Sequence, residues 1–80
     1  MSVVTFFTKP DCTLCHGALY VVTRVRMDFP FDLEIVDISA AGSEHWWDAY
    51  RNDIPVVHLN GKEIFRHRVD ERRLREILRP

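Results

Sequence analysis

Val3-Val4-Thr5-Phe6-Phe7-Thr8, followed by Lys9-Pro10-Asp11-Cys12-Thr13-Leu14-Cys15-His16, is the stretch that decides the fold. The first six residues are β-branched or aromatic throughout and are closed by Lys-Pro-Asp, the pattern of a strand buried on both faces. From about Thr13 the period changes. Leu14, Ala18, Val21 or Val22, and Val25 recur at helical spacing, with Arg24 and Arg26 off the stripe and Asp28 to Pro30 as the stop. Asp11 or Thr13 is available to cap the start of this helix. Leu33 to Ile38 reads as a second strand, which must run parallel to the first through a right-handed crossover.

Working outward, Ala40-Ala41-Gly42 is a loop, and Ser43 is placed to cap a helix with Glu44 in its first turn, running through Trp46, Trp47 and Tyr50. Asn52 to Ile54 ends it. Pro55 to Leu59, Asn60-Gly61 and Lys62 to Phe65 form a hairpin, because Asn-Gly supplies the two positive φ angles of a type I′ turn. Asp70 to Arg79 is a last helix, with acids at its start, Arg79 at its end, and Leu74, Ile77 and Leu78 facing inward. The order βαβαββα predicts an α/β fold, a four-stranded mixed sheet flanked by helices. With no repeat and no linker, residues 1–80 read as one domain.

Composition narrows the function classes. Eleven Lys and Arg against twelve Asp and Glu give a net charge of −1, without the concentrated positive field of a nucleic-acid or anionic-membrane binder. The hydrophobic share, 46%, is too high for a disordered chain. The longest apolar run, Ala18 to Val22, is far below a membrane span, and the N-terminus lacks the basic start and small-residue cleavage site of a secretion signal. The expectation is a cytoplasmic monomer that binds neither nucleic acid nor membrane.

The two cysteines stand three apart, as Cys12-Thr13-Leu14-Cys15. A bridge over so short a loop removes little entropy from the unfolded chain, so the pair is there for chemistry or a metal. At the junction of strand and helix, unpaired N–H groups and the helix dipole stabilise a thiolate. Spacing by three places the second thiol one turn later, within reach of a disulfide. Cys12, nearer the end, is expected to attack a disulfide, and Cys15 to resolve the mixed disulfide. Lys9 adds positive charge nearby and Asp11 opposes it. Pro55, opening a strand after a helical segment, is expected to lie beside this helix start. A cis Ile54–Pro55 bond there would aim the Ile54 backbone at the cysteines, ready to pair with an extended peptide or tripeptide thiol.

The same residues admit other chemistry. Zinc would need two further ligands, and His16, His45, His58 and His67 form no H-x₃₋₅-H pair. Cys12-Thr13-Leu14-Cys15-His16 satisfies the C-x-x-C-H pattern of covalent haem attachment, but the strand-rich pattern leaves no haem pocket between helices. His16 is expected on the helix surface and His58 as a satisfied core histidine. Trp46 and Trp47 point about 100° apart, so only one is expected fully in the core. Arg66, Arg68, Arg72, Arg73, Arg75 and Arg79 read as a solvated face.

Thr8-Lys9-Pro10-Asp11-Cys12-Thr13-Leu14-Cys15 after a strand, with Ile54-Pro55-Val56-Val57-His58-Leu59-Asn60-Gly61-Lys62-Glu63-Ile64 much later, resembles the glutaredoxins. The likeness covers nearly the whole chain and implies the minimal thioredoxin fold. It is strongest to small glutaredoxin-like proteins with C-x-L-C and D-I-P-V-x-H-L-N-G. The resemblance implies a thiol–disulfide oxidoreductase with Cys12 as nucleophile and Cys15 as resolving thiol. It implies Lys9, Ile54 and Pro55 as substrate-binding positions, no bound cofactor, and glutathione as a candidate reductant. A disulfide-containing protein or a glutathione mixed disulfide would be the substrate, and a reductase or glutathione the electron donor. The chain departs from the family after the hairpin, where Phe65-Arg66-His67-Arg68 replaces Gly-Gly and the tyrosine between the cysteines is absent. Weak glutathione activity is therefore expected. The alternatives are a non-catalytic adaptor that keeps the fold, or an iron–sulfur-binding module bridged through Cys12.

Overall fold

In the computed structural model, which describes residues 2–80, the chain runs β1 (Val3–Thr8), α1 (Thr13–Asp28), β2 (Asp32–Asp37), α2 (Glu44–Tyr50), β3 (Val56–Leu59), β4 (Lys62–Arg66) and α3 (Glu71–Leu78). The expected α/β order is found. The four strands form one mixed sheet in the order β2-β1-β3-β4. β1 pairs with β2 in parallel, Val3 opposite Asp32 to Thr8 opposite Asp37, and with β3 antiparallel, Val4 opposite Leu59 to Phe7 opposite Val56. β3 and β4 are the hairpin, with Asn60 at φ 51° and Gly61 at φ 85°, the two positive angles that turn requires. The register shifts between Val57 and His58, leaving Ile64 as the extra residue of a bulge.

As a central strand, β1 buries both faces. Val4 and Phe6 are fully buried on one side and Phe7 on the other. Phe7 meets α2: its ring lies 4.6 Å from that of Trp46, 5.3 Å from Tyr50 and 4.6 Å from His58. The opposite face is left to α1 and α3, which are tied to each other by Arg75 Nη1 on Asp28 Oδ2 at 2.7 Å and Arg24 beside Glu71 at 3.6 Å.

Several expectations are corrected. The inward stripe of α1 is Cys15, Ala18, Val22 and Val25, whereas Leu14 is 67% exposed. Shifting the stripe by one residue puts a thiol in the core in place of the leucine, and the helix is capped by Cys12 rather than by Asp11 or Thr13. Asp11 is instead turned to φ 64° to reverse the chain. Ser43 makes no side-chain cap bond; the Glu44 carboxylate accepts from the Gly42 N–H at 2.9 Å instead. Neither tryptophan is fully buried, since α2 has only seven residues and lies at the sheet's rim: Trp46 is half-buried and Trp47 exposed. Of the C-terminal arginines, Arg66, Arg68, Arg72, Arg73 and Arg79 are exposed, as a solvated face requires, whereas Arg75 is half-buried and ion-paired to Asp28 and Glu71. His16 is exposed and His58 is a buried histidine held by the Tyr50 hydroxyl at 2.9 Å, both as expected. Among the described residues no helix is long and apolar enough to cross a membrane.

Candidate functional site

The site begins where β1 ends. Thr8 accepts from the Ile38 N–H at 2.8 Å, Lys9 to Asp11 turn the chain, and Cys12 is extended (φ −94°, ψ 100°) before α1 starts at Thr13. At that cap position the Cys12 carbonyl accepts from the N–H groups of Cys15 (3.1 Å) and His16 (3.3 Å), and its Sγ accepts from Cys15 N–H at 3.2 Å. Sulfur thus takes the place that an oxygen from Ser, Thr or Asp usually fills. No acid stands in the first turn to compete with negative charge on that sulfur.

Cys12 and Cys15 form a disulfide, with Cα atoms 5.2 Å apart. Their exposures differ. Cys12 is half-buried at the surface of the core cluster, and Cys15 is 2% exposed inside it. Leu14, exposed between them, leaves an apolar residue on the outside of the pair.

The sheet brings the second part of the site to the first. Phe7 opposite Val56 is the last pair of the antiparallel ladder, so Ile54 and Pro55 lead into β3 at the end of the sheet where β1 runs into the cysteine turn. The Ile54–Pro55 peptide bond is cis. Both residues are buried, and Ile54 belongs to the same core cluster as Cys15. Asp53 and Pro55 on either side have their carbonyls occupied, each accepting from the His67 N–H, at 3.0 and 2.9 Å. Among the described residues, neither the N–H nor the C=O of Ile54 is hydrogen-bonded. The Lys9 ammonium stands 5.6 Å from the ring centre of Trp47 on α2. Beside it is a cleft of about 480 Å³ lined by Ile38, Ser39, Ala40, Glu44, Trp47 and Asp48.

A polar cluster at the end of β4 went unread in the sequence. Arg66 grips Glu63 with two bonds (2.9 and 2.8 Å), donates to Asp53 Oδ2 at 3.1 Å, and covers the Tyr50 ring at 5.5 Å. His67 Nε2 meets the other Asp53 oxygen at 2.8 Å. The Arg66 hydrogen bond holds the Glu63 carboxyl below its ordinary range, and Glu63 in turn raises Arg66. His67 adopts φ 76°, a left-handed angle usual for glycine. The pairing needed the hairpin bulge and this turn, neither of which leaves a local signal in Arg66-His67. Arg68 is exposed and, among the described residues, makes no ion pair. His58 is held neutral, its pKa lowered by burial, with Glu63 acting weakly the other way.

A family model described as Glutaredoxin-like domain (DUF836) matches residues 3–79. The chain is 39% identical over 75 residues to a glutaredoxin-like protein of Dictyostelium discoideum, the YDR286C homolog, spanning 89% of this chain and 69% of that protein. Among solved structures, the protein Ne2328 of Nitrosomonas europaea superposes with a TM-score of 0.82 at 21% identity, over 98% of this chain and 92% of the other. Oxidised thioredoxin O2 of Arabidopsis thaliana gives 0.69 at 21% identity, over 96% and 71%. At such identities these two likenesses speak for the fold.

Proposed function

The chain belongs to the glutaredoxin-like family, and from that premise we propose that it is a thiol–disulfide oxidoreductase working through the Cys12–Cys15 dithiol. The observation that carries this reading is the pairing of a half-buried Cys12 at the cap of α1 with a buried Cys15 one turn later. An attacking thiol must be reachable and charged; a resolving thiol must be close and shielded.

In the reduced protein the Cys15 N–H and the first turn of α1 stabilise a thiolate on Cys12. That thiolate attacks one sulfur of a substrate disulfide. A Cys12–substrate bond forms, the substrate S–S bond breaks, and the other substrate sulfur leaves as a thiolate that takes a proton. Cys15 then loses its proton and attacks Cys12 Sγ. The internal disulfide forms and the second substrate thiol is released, so two electrons pass from protein to substrate. An external dithiol or two thiols reverse the sequence.

Ile54 and Pro55 are assigned to orienting the incoming chain, through the unoccupied Ile54 backbone, and Lys9 to meeting a substrate carboxylate across the Trp47 cleft. Phe65 and Arg66 carry bulky side chains where the resemblance implies two glycines, which favours a protein disulfide over glutathione as substrate and a dithiol donor over glutathione as reductant. The test is trapping. Cys15→Ser is expected to accumulate a mixed disulfide with a protein substrate, and Cys12→Ser to form none. A Cys12→Ser chain that still turns over would overturn the reading in favour of an adaptor that only keeps the fold.

A further inference from the structure

The polar cluster around Asp53 lies outside the chemistry of the thiols, yet it grips the segment next to them. The Asp53 carboxylate receives two partners, Arg66 Nη1 at 3.1 Å and His67 Nε2 at 2.8 Å, while the single His67 N–H bridges the carbonyls of Asp53 and Pro55. Arg66 is itself pinned by Glu63 and by the Tyr50 ring. The result is a clasp between the end of β4 and residues 53–55. It holds both neighbours of Ile54 and leaves the Ile54 N–H and C=O without partners among the described residues.

We propose that Asp53 is a positioning residue for substrate: through Arg66 and His67 it fixes the Ile54 backbone as a one-residue docking edge for an extended polypeptide disulfide. The inference rests on the oxidoreductase reading, which already assigns the Ile54 backbone to the incoming chain, and adds to it the residue that holds that backbone in place. Asp53 touches no reacting sulfur. It acts by keeping a donor and an acceptor in one place, so that pairing with the incoming chain costs little ordering.

The clasp makes a distinction that a general structural role would not. A peptide carrying a disulfide has a backbone for Ile54 to pair with, and bis(2-hydroxyethyl) disulfide has none. The experiment mixes reduced protein with each disulfide in excess and measures the half-saturating concentration and the limiting rate of substrate thiol release. For Asp53→Ala the half-saturating concentration of the peptide disulfide is expected to rise roughly ten-fold, with the limiting rate and both constants for the small disulfide within about two-fold of the unmodified protein. Asp53→Asn, which keeps one acceptor, is expected to recover part of the loss. His67→Gly removes the imidazole while suiting the left-handed backbone, and is expected to fall between the two.

An equal change with both disulfides, or no change with the peptide, would overturn the proposal. Should Asp53→Ala not fold, the same contrast in Asp53→Asn and His67→Gly decides it. An unmodified protein that reduces neither disulfide would overturn the oxidoreductase reading, and this inference with it.

Discussion

At the start of α1, everything that shapes the dithiol is local: Cys12 caps the helix, Cys15 follows three residues on, and the bonds around them join residues three or four apart. At the facing loop, the segment from Asp53 to Pro55 is held from residues 13 and 14 positions away, by Arg66 and His67 at the end of a bulged hairpin. The first region depends on a helix forming; the second depends on the sheet having closed. A nucleophile needs a particular sulfur in a particular field, which one helix end supplies. A docking edge needs two chain segments in register, which only tertiary structure supplies.

The sharpest way to break this contrast is to remove the nucleophile. Cys12→Ser is expected to lower turnover by on the order of 10³-fold or more, far beyond the effect of loosening the clasp, since no other thiolate stands at the helix cap. Steady-state rates with a protein disulfide measure it. A loss at Asp53→Ala as large as at Cys12→Ser would mean the two regions are not separable.

Next comes the core residue that joins them. Phe7 is the last but one residue of β1, just before the cysteine turn, and packs on Trp46, Tyr50 and His58. Phe7→Ala is expected to cost about 3–5 kcal/mol by denaturant unfolding, because a fully buried ring leaves a cavity.

A smaller effect is expected from pH. Burial lowers the His58 pKa from its ordinary 6.5, so the unfolded chain takes up a proton before the folded one does. The stabilisation from a neutral His58 is full above about 6.5 and is lost as pH falls below that value towards the folded pKa. The unfolding midpoint should fall over this window, and His58→Gln should flatten the fall. An unchanged slope in His58→Gln would place the acid sensitivity elsewhere, for example in Glu63 and Asp37, whose lowered values act at more acidic pH.

The smallest effect is a control on capping. α3 is capped by Asp70, whose carboxylate accepts from the Arg73 N–H at 3.1 Å, as α1 is capped by a sulfur. Asp70→Ala is expected to cost about 1 kcal/mol, a fall in Tm of several degrees, and to leave turnover unchanged. A change in turnover would show that capping as such, rather than the thiol at the cap, governs the rate.

Most of the fold was legible because its signals are short in range. The β-branched run of β1, the Asn60-Gly61 turn and the acid-led start of α3 each announce themselves within a few residues. The misreadings fall where tertiary packing chose between near-equal options. Leu14 and Cys15 fit the α1 stripe equally well by period, and packing into the core took Cys15 inward and left Leu14 outside. Ser43 looked like a cap, yet its side chain makes no cap bond, and the nearby side-chain bond is the Glu44 carboxylate accepting from the Gly42 N–H.

The sequence by itself determined the dithiol, the strand and helix order, and the proline that opens β3, because each rests on residue type and spacing along one element. Only the tertiary structure decided what holds the Ile54–Pro55 segment, and that Asp53 meets Arg66 and His67. Those outcomes depend on how far the sheet carries distant segments towards each other. A hydrogen bond across 13 or 14 residues forms only once the strands between have paired and a bulge has set the register.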